Sequence, residues 1–219
     1  MITLESIKKD EKIKTYIQKA DESLVALGYT EHSFAHVTKV AVIAADILKK
    51  TGHSDEEIEL AKIAGYMHDI GNLVNRVEHS QSGAVMAFRI LDEMGMPPQD
   101  IATVVTAIGN HDEGTGVAVN DVAAALILAD KTDVRRSRVR NRDITSFDIH
   151  DRVNYSVKES NLDIDVENGY IILNLTVDTE ISSVMNYFEI FLGRMLLCQK
   201  AAEKLKLTFG LAINGQKLL

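Results

Sequence analysis

Apolar residues recur at helical spacing through the first 130 positions of the chain, and at a spacing of two in much of the remainder. Ile7, Ile13, Ile17, Ala20, Leu24 and Leu27 predict a helix over residues 4–27, closed by Gly28. A second helix is expected over 31–50, with the stripe His36, Val40, Ile43 and Ile47. Ser54-Asp55-Glu56-Glu57 reads as a capping box and opens a third helix, with Ile58, Ala61, Gly65 and His68 on its inner face. The small residues on that face permit a close approach by a neighbouring helix. Gly71 is read as the left-handed residue that ends this helix. That places His68 in its last turn and lets the Asp69 carboxylate turn inward. After a loop over 72–78, a fourth helix begins near His79 and carries Gly83, Met86 and Ile90. Pro97 and Pro98 suit the first turn of a fifth, whose stripe is Ile101, Val104, Ile108 and His111. A sixth covers about 120–131, with Ala123, Leu126, Ile127 and Asp130 inward.

Beyond Asp130 the pattern changes. Residues 134–142 hold five arginines, and period-two alternation sets in from Val153 to Val177. Asn168-Gly169 marks a hairpin turn there. A long helix is expected over 180–206, then a strand over Leu207 to Ile213. The expected architecture is mainly α: a helical bundle over 1–145, and a small hairpin-helix-strand appendage over 146–219 packing on it. The appendage is expected to cover the mouth of a site or to form a homodimer contact. Its Met and Phe stripe reads as core or dimer interface.

Composition narrows the function classes. With 219 residues, 46% of them hydrophobic, the chain can bury a substantial core. A formal net charge of −8 argues against a surface for extended nucleic acid. A single cysteine, Cys198, forbids an intrachain disulfide and fits a reducing cytoplasm. The N-terminal stretch has no apolar run of the signal-peptide kind, and no segment reaches the ~18 apolar residues of a membrane span. The expectation is a soluble, cytoplasmic protein without a membrane partner.

The inward polar residues carry the chemistry. His36, His68, Asp69, His79, His111 and Asp130 sit at core-facing positions, and a buried ionisable group without a partner costs several kcal/mol. A metal ion satisfies imidazoles and carboxylates together. Nitrogen and oxygen donors without thiolate favour one or two divalent transition-metal ions (Fe, Mn, Ni, Co or Zn) over calcium. His36, His68, Asp69 and Asp130 can complete one site. Asp69 can bridge to a second held by His79 and His111.

The order His36, His68-Asp69, Asp130 resembles the HD superfamily of metal-dependent phosphohydrolases over about residues 30–132. The extra His79 and His111 resemble the subgroups that hold two metals. The resemblance implies an all-helical bundle, Asp69 as the bridging ligand, His68 and Asp69 as the catalytic pair, and a metal-bound water that attacks phosphorus. It implies hydrolysis of a phosphoester or phosphoanhydride of a nucleotide or other small phosphate compound. Cyclic-dinucleotide phosphodiesterases of the HD-GYP type have Lys after the His-Asp-Ile-Gly element and a Gly-Tyr-Pro element. This chain has Asn72 and no Gly-Tyr-Pro, which disfavours that subgroup. Two other activities fit the resemblance: a nucleotide-sensing protein without turnover, and a diiron oxygenase. Lys131, Arg76, Arg135 and Arg138 are the expected contacts for substrate phosphate, since Arg forks and a Lys charge suit that group. Asp112 is expected to accept a hydrogen bond from His111, His32 to lie on the His36 face, and His53 and His150 to be exposed.

Overall fold

A computed structural model describes residues 2–219. The helices are α1 (Leu4–Lys9), α2 (Glu11–Ala26), α3 (Phe34–Lys50), α4 (Asp55–Met67), α5 (His79–Glu93), α6 (Pro98–Gly109), α7 (Asp121–Lys131), α8 (Ile149–Ser156) and α9 (Val184–Lys204). The strands are β1 (Val157–Asp165), β2 (Tyr170–Val177), β3 (Thr208–Ile213) and β4 (Gln216–Lys217). The mainly α architecture with a small C-terminal sheet is as expected.

Several boundaries differ, each for a local reason. The first expected helix is two helices, broken at Asp10. That residue takes an extended conformation, ends α1, and caps α2 by accepting the N–H of Ile13. Leu27, expected inward, is 63% exposed. The second helix starts at Phe34 rather than 31, because Ser33 supplies its N-cap. Residues 153–156 are the end of α8, not strand; Asp148 caps that helix by accepting the N–H of Asp151. The period-two pattern holds from Val157 onward, and the turn before β2 has Gly169 at φ 76°.

Gly71 is the instructive correction. It does not adopt a left-handed conformation, and the chain continues through a 3₁₀ turn, Ile70–Leu73. A Cβ there would fall 1.9 Å from the carbonyl oxygen of His79 and 2.4 Å from the amide of Gly83. Glycine is therefore needed for close backbone approach, bringing the start of α5 against the His68-Asp69 turn. Gly65 serves the same end on the other side. A Cβ there would lie 2.7 Å from the Cα of Ala41, so α3 and α4 meet nearly backbone to backbone. That contact draws His36 and His68 together.

α7 is buried along its whole length, Val122 to Lys131, among α3, α4, α6 and α9. The sheet order is β1-β2-β3-β4. β1 and β2 are antiparallel, β2 and β3 run parallel through the α9 crossover, and β4 turns back on β3. α9 lies between the sheet and α7, so the appendage reaches the end of α7 where Asp130 and Lys131 sit. No helix among the described residues is long and apolar enough to cross a membrane.

Candidate metal centre and substrate cavity

The four inward histidines are fixed by one local device, with one exception. His68 and His111 stand just beyond the last residues of α4 and α6, where backbone carbonyls lack helical partners. Each donates Nδ1–H to a carbonyl three residues back: His68 to Gly65 at 2.8 Å, His111 to Ile108 at 2.6 Å. His79 opens α5 and donates to the loop carbonyl of Arg76 at 3.1 Å. His36 lies in the first turn of α3, where the carbonyl of Ser33 already takes the Val37 amide. Its Nδ1 turns instead to the buried carboxylate of Asp133 at 2.8 Å. In all four rings the Nδ1 contact turns the Nε2 atom inward.

These atoms form two clusters joined by Asp69. Asp69 Oδ2 lies 3.6 Å from His36 Nε2 and 3.2 Å from His68 Nε2. Asp130 Oδ1 closes that group, 3.4 Å from His36 Nε2 and 3.7 Å from His68 Nε2. The other oxygen of Asp69, Oδ1, is 3.6 Å from His79 Nε2, which lies 3.2 Å from His111 Nε2. The Nε2 atoms of His36 and His68 and Oδ2 of Asp69 are buried without a hydrogen-bond partner. Buried polar atoms are seldom left so, and three placed this close together fit a cation-binding site. Two imidazole Nε2 atoms facing each other at 3.2 Å, with both Nδ1–H groups engaged elsewhere, make the same case for His79 and His111. The donor set, nitrogen and carboxylate oxygen with no thiolate, suits a transition-metal ion.

Charge is organised to match. Burial alone would raise the Asp69 and Asp130 carboxyls; His68 beside Asp69, and Lys131 beside Asp130, overrule it and hold both well below the usual range. Burial opposes a charged His68, but the two carboxylates outweigh it and push its pKa up to about 10. Burial lowers His111 and His79, which keeps their rings neutral. The first cluster thus attracts positive charge, and the second offers lone pairs.

A cavity of about 510 Å³ opens onto Asp69, His79 and Asp130. The expected phosphate contacts are placed differently from one another. Arg76 lines the cavity, with a guanidinium nitrogen 3.3 Å from Asn72 Oδ1 and 3.4 Å from His79 Nε2. Lys131 lines it too, buried and held by Asp130 at 2.9 Å and Glu113 at 2.7 Å. Arg138 reaches the wall, but its side chain donates to the carbonyls of Glu31 and Asp133. Arg135 is not brought to the cavity; it pairs with Glu31 and Asp133. His32 lines the wall, ring edge to His36 at 5.5 Å. Asp112 does not accept from His111, and it faces Lys131 at 3.5 Å instead. His53, expected exposed, is partly buried and bonded to Thr51 and Asp121. His150 is exposed as expected, on the rim of the cavity.

Three contributors escape a reading of the sequence. Asp133 lies one helical turn past Asp130, and that spacing is the available signal. Glu113 and Arg194 form a 3.0 Å pair on the cavity wall across 81 residues, which no local pattern announces.

The HD-domain family model matches residues 33–151, more than half of the chain, and that span contains every donor described above. The chain belongs to the HD-domain family. An uncharacterized protein of Methanocaldococcus jannaschii, MJ1020, is 27% identical over 155 residues, which are 60% of this chain. The chain spans 59% of that relative's length. A solved structure of a predicted HD superfamily hydrolase from an uncultured Thermotogales bacterium shares 23% identity. It covers 62% of this chain and 75% of its own, with a TM-score of 0.47.

Proposed function

We propose that this HD-domain protein is a metal-dependent hydrolase of a small phosphate compound. The observation that carries the reading is Asp69, whose Oδ2 faces the unpartnered Nε2 atoms of His36 and His68 while its Oδ1 faces the His79 Nε2 that meets His111. His36, His68, Asp69 and Asp130 would hold one divalent ion, and Asp69, His79 and His111 a second. Bound there, such ions polarise a phosphoryl oxygen and supply a hydroxide at neutral pH.

The chain's own groups do the rest. Arg76 beside His79 donates to the non-bridging phosphate oxygens. Lys131 keeps Asp130 ionised, so that carboxylate stays a ligand. Asp133 fixes the His36 ring with Nε2 inward. The cavity admits a phosphate ester of nucleotide or sugar size, in keeping with a nucleotide as one candidate substrate.

The test is elemental analysis of chelator-free protein, followed by phosphate release from a panel of small esters. About two transition-metal ions per chain and release from at least one ester are expected. Asp69→Ala is expected to lose both, with kcat down ~10³-fold, since several kcal/mol of transition-state stabilisation go with the metals. Full turnover in Asp69→Ala sinks the proposal.

A further inference from the structure

The cavity has a second wall of opposite character. Around the metal centre most cations are already matched: Lys131 by Asp130 and Glu113, Arg194 by Glu113, Arg138 by Asp133. Among the described lysines and arginines that line the cavity, Arg76 is the one without a carboxylate partner. That leaves one free guanidinium for one phosphate.

α8 supplies the other wall through Asp148, His150, Asp151 and Asn154. Asp148 is partly explained as the N-cap of α8, since its Oδ1 accepts the amide of Asp151 at 2.8 Å. Its Oδ2 has only His150 Nδ1 at 3.8 Å. Capping explains neither Asp151 nor Asn154. The Asp151 carboxylate has no Lys or Arg partner among the described residues; its contact is a long 3.4 Å bond from Asn141. Partial burial, and then Asp148, raise its pKa, as expected of a carboxylate short of donors. Asn154 is 6% exposed and gives its Nδ2 to the carbonyl of His150 at 2.9 Å. That leaves its Oδ1 to accept from elsewhere, and Asn154 lines the cavity. Two carboxylates without a Lys or Arg partner and an amide oxygen therefore make this wall a surface of acceptors, with Asp148 at its open edge.

Building on the phosphohydrolase reading, we infer that the substrate is a phosphomonoester whose organic body presents hydroxyl or amino donors to Asp148, Asp151 and Asn154. An ester with a second anionic group is disfavoured, because it would set that charge against an acidic wall and find no free cation. In the reaction the oxygen of water bonds to phosphorus, the bond from phosphorus to the alcohol oxygen breaks, and the alcohol leaves with a proton from that water.

The experiment measures kcat/KM for phosphate release by the metal-loaded protein on p-nitrophenyl phosphate, glucosamine 6-phosphate, glucose 6-phosphate, 6-phosphogluconate, AMP and ATP. The two neutral or amino sugar phosphates are expected to exceed 6-phosphogluconate at least tenfold, and AMP to exceed ATP. Asp151→Asn, and Asp148→Asn, which retains an N-cap residue, are expected to shrink the ratio of glucosamine 6-phosphate to 6-phosphogluconate severalfold. Circular dichroism checks that both variants fold. Equal or better turnover of 6-phosphogluconate or ATP overturns the inference while leaving the phosphohydrolase reading intact. So does a ratio unchanged in both folded variants. Release from none of these esters, p-nitrophenyl phosphate included, overturns both.

Discussion

Asp69 joins two histidine pairs that are built differently. His36 and His68 share a second carboxylate, Asp130, and stand within a charge network. Asp133 backs His36, Lys39 pairs with Asp133 at 2.7 Å, and Lys131 backs Asp130. His79 and His111 rest on backbone carbonyls, and of the two His79 is the one in close approach to Asp69, 3.6 Å to Oδ1. Metal affinity grows with anionic donors and with the acceptors that orient each imidazole. On the proposed two-ion reading, the first pair would be the stronger site and the second the one that exchanges.

The largest effect expected from this difference is on stoichiometry. His36→Ala should remove the tightly held ion and lower turnover ~10³-fold, as loss of several kcal/mol of metal-derived stabilisation implies. His79→Ala should leave about one ion bound and cost ~10²-fold in turnover, a smaller share of the same metal-derived stabilisation, with partial recovery when excess metal is supplied. Elemental analysis beside a phosphate-release assay reads both. Equal metal loss in the two variants breaks the comparison.

Asp133→Asn sharpens it. The amide still reaches His36 but carries no charge, so metal affinity at the first site should fall about 10–100-fold. The second site should be untouched. Competition against a chromophoric chelator measures the two affinities separately. An equal shift at both sites would show that Asp133 acts through general packing.

That prediction turns on a residue the sequence alone does not reveal, and the reason is physical. His36 and Asp130 are legible because each occupies an inward position of a helix's apolar stripe, and His68, His79 and His111 because each continues such a stripe at or just past a helix end. Periodicity reports which way a side chain points, and here it points to the shared interior. Asp133 lies past the end of α7, where periodicity stops, and meets His36 across 97 residues. Arg194 belongs to α9, whose stripe reads as ordinary core; only the packing of α9 on α7 brings it to Glu113. Gly71 stands out in the sequence for the wrong property. A glycine near a helix end reads as a left-handed cap, whereas the fold uses its missing Cβ against His79 and Gly83. Asp148-x-x-Asp151 is a readable capping signal for α8, masked by the alternation that runs through Val153 into β1.

The smallest effect concerns the network behind the first pair. Burial alone would raise the Glu113 carboxyl, but Lys131 at 2.7 Å and Arg194 at 3.0 Å reverse this and hold it well below the usual range. A carboxylate whose pKa is depressed on folding stabilises the folded state above its unfolded pKa, ~4.3, and that contribution is lost as pH falls from there toward the folded value. Glu113→Gln removes it at every pH. Because Glu113 is partly solvent-screened, the difference from the parent protein at pH 7 should be about 1 kcal/mol. It should shrink steadily below pH ~4.3, as the parent protein loses what the variant never had. Urea denaturation of metal-free protein at a series of pH values reads the difference directly. A constant gap across that range would mean that Glu113 acts by packing rather than charge, and that Lys131 is held by Asp130 without it.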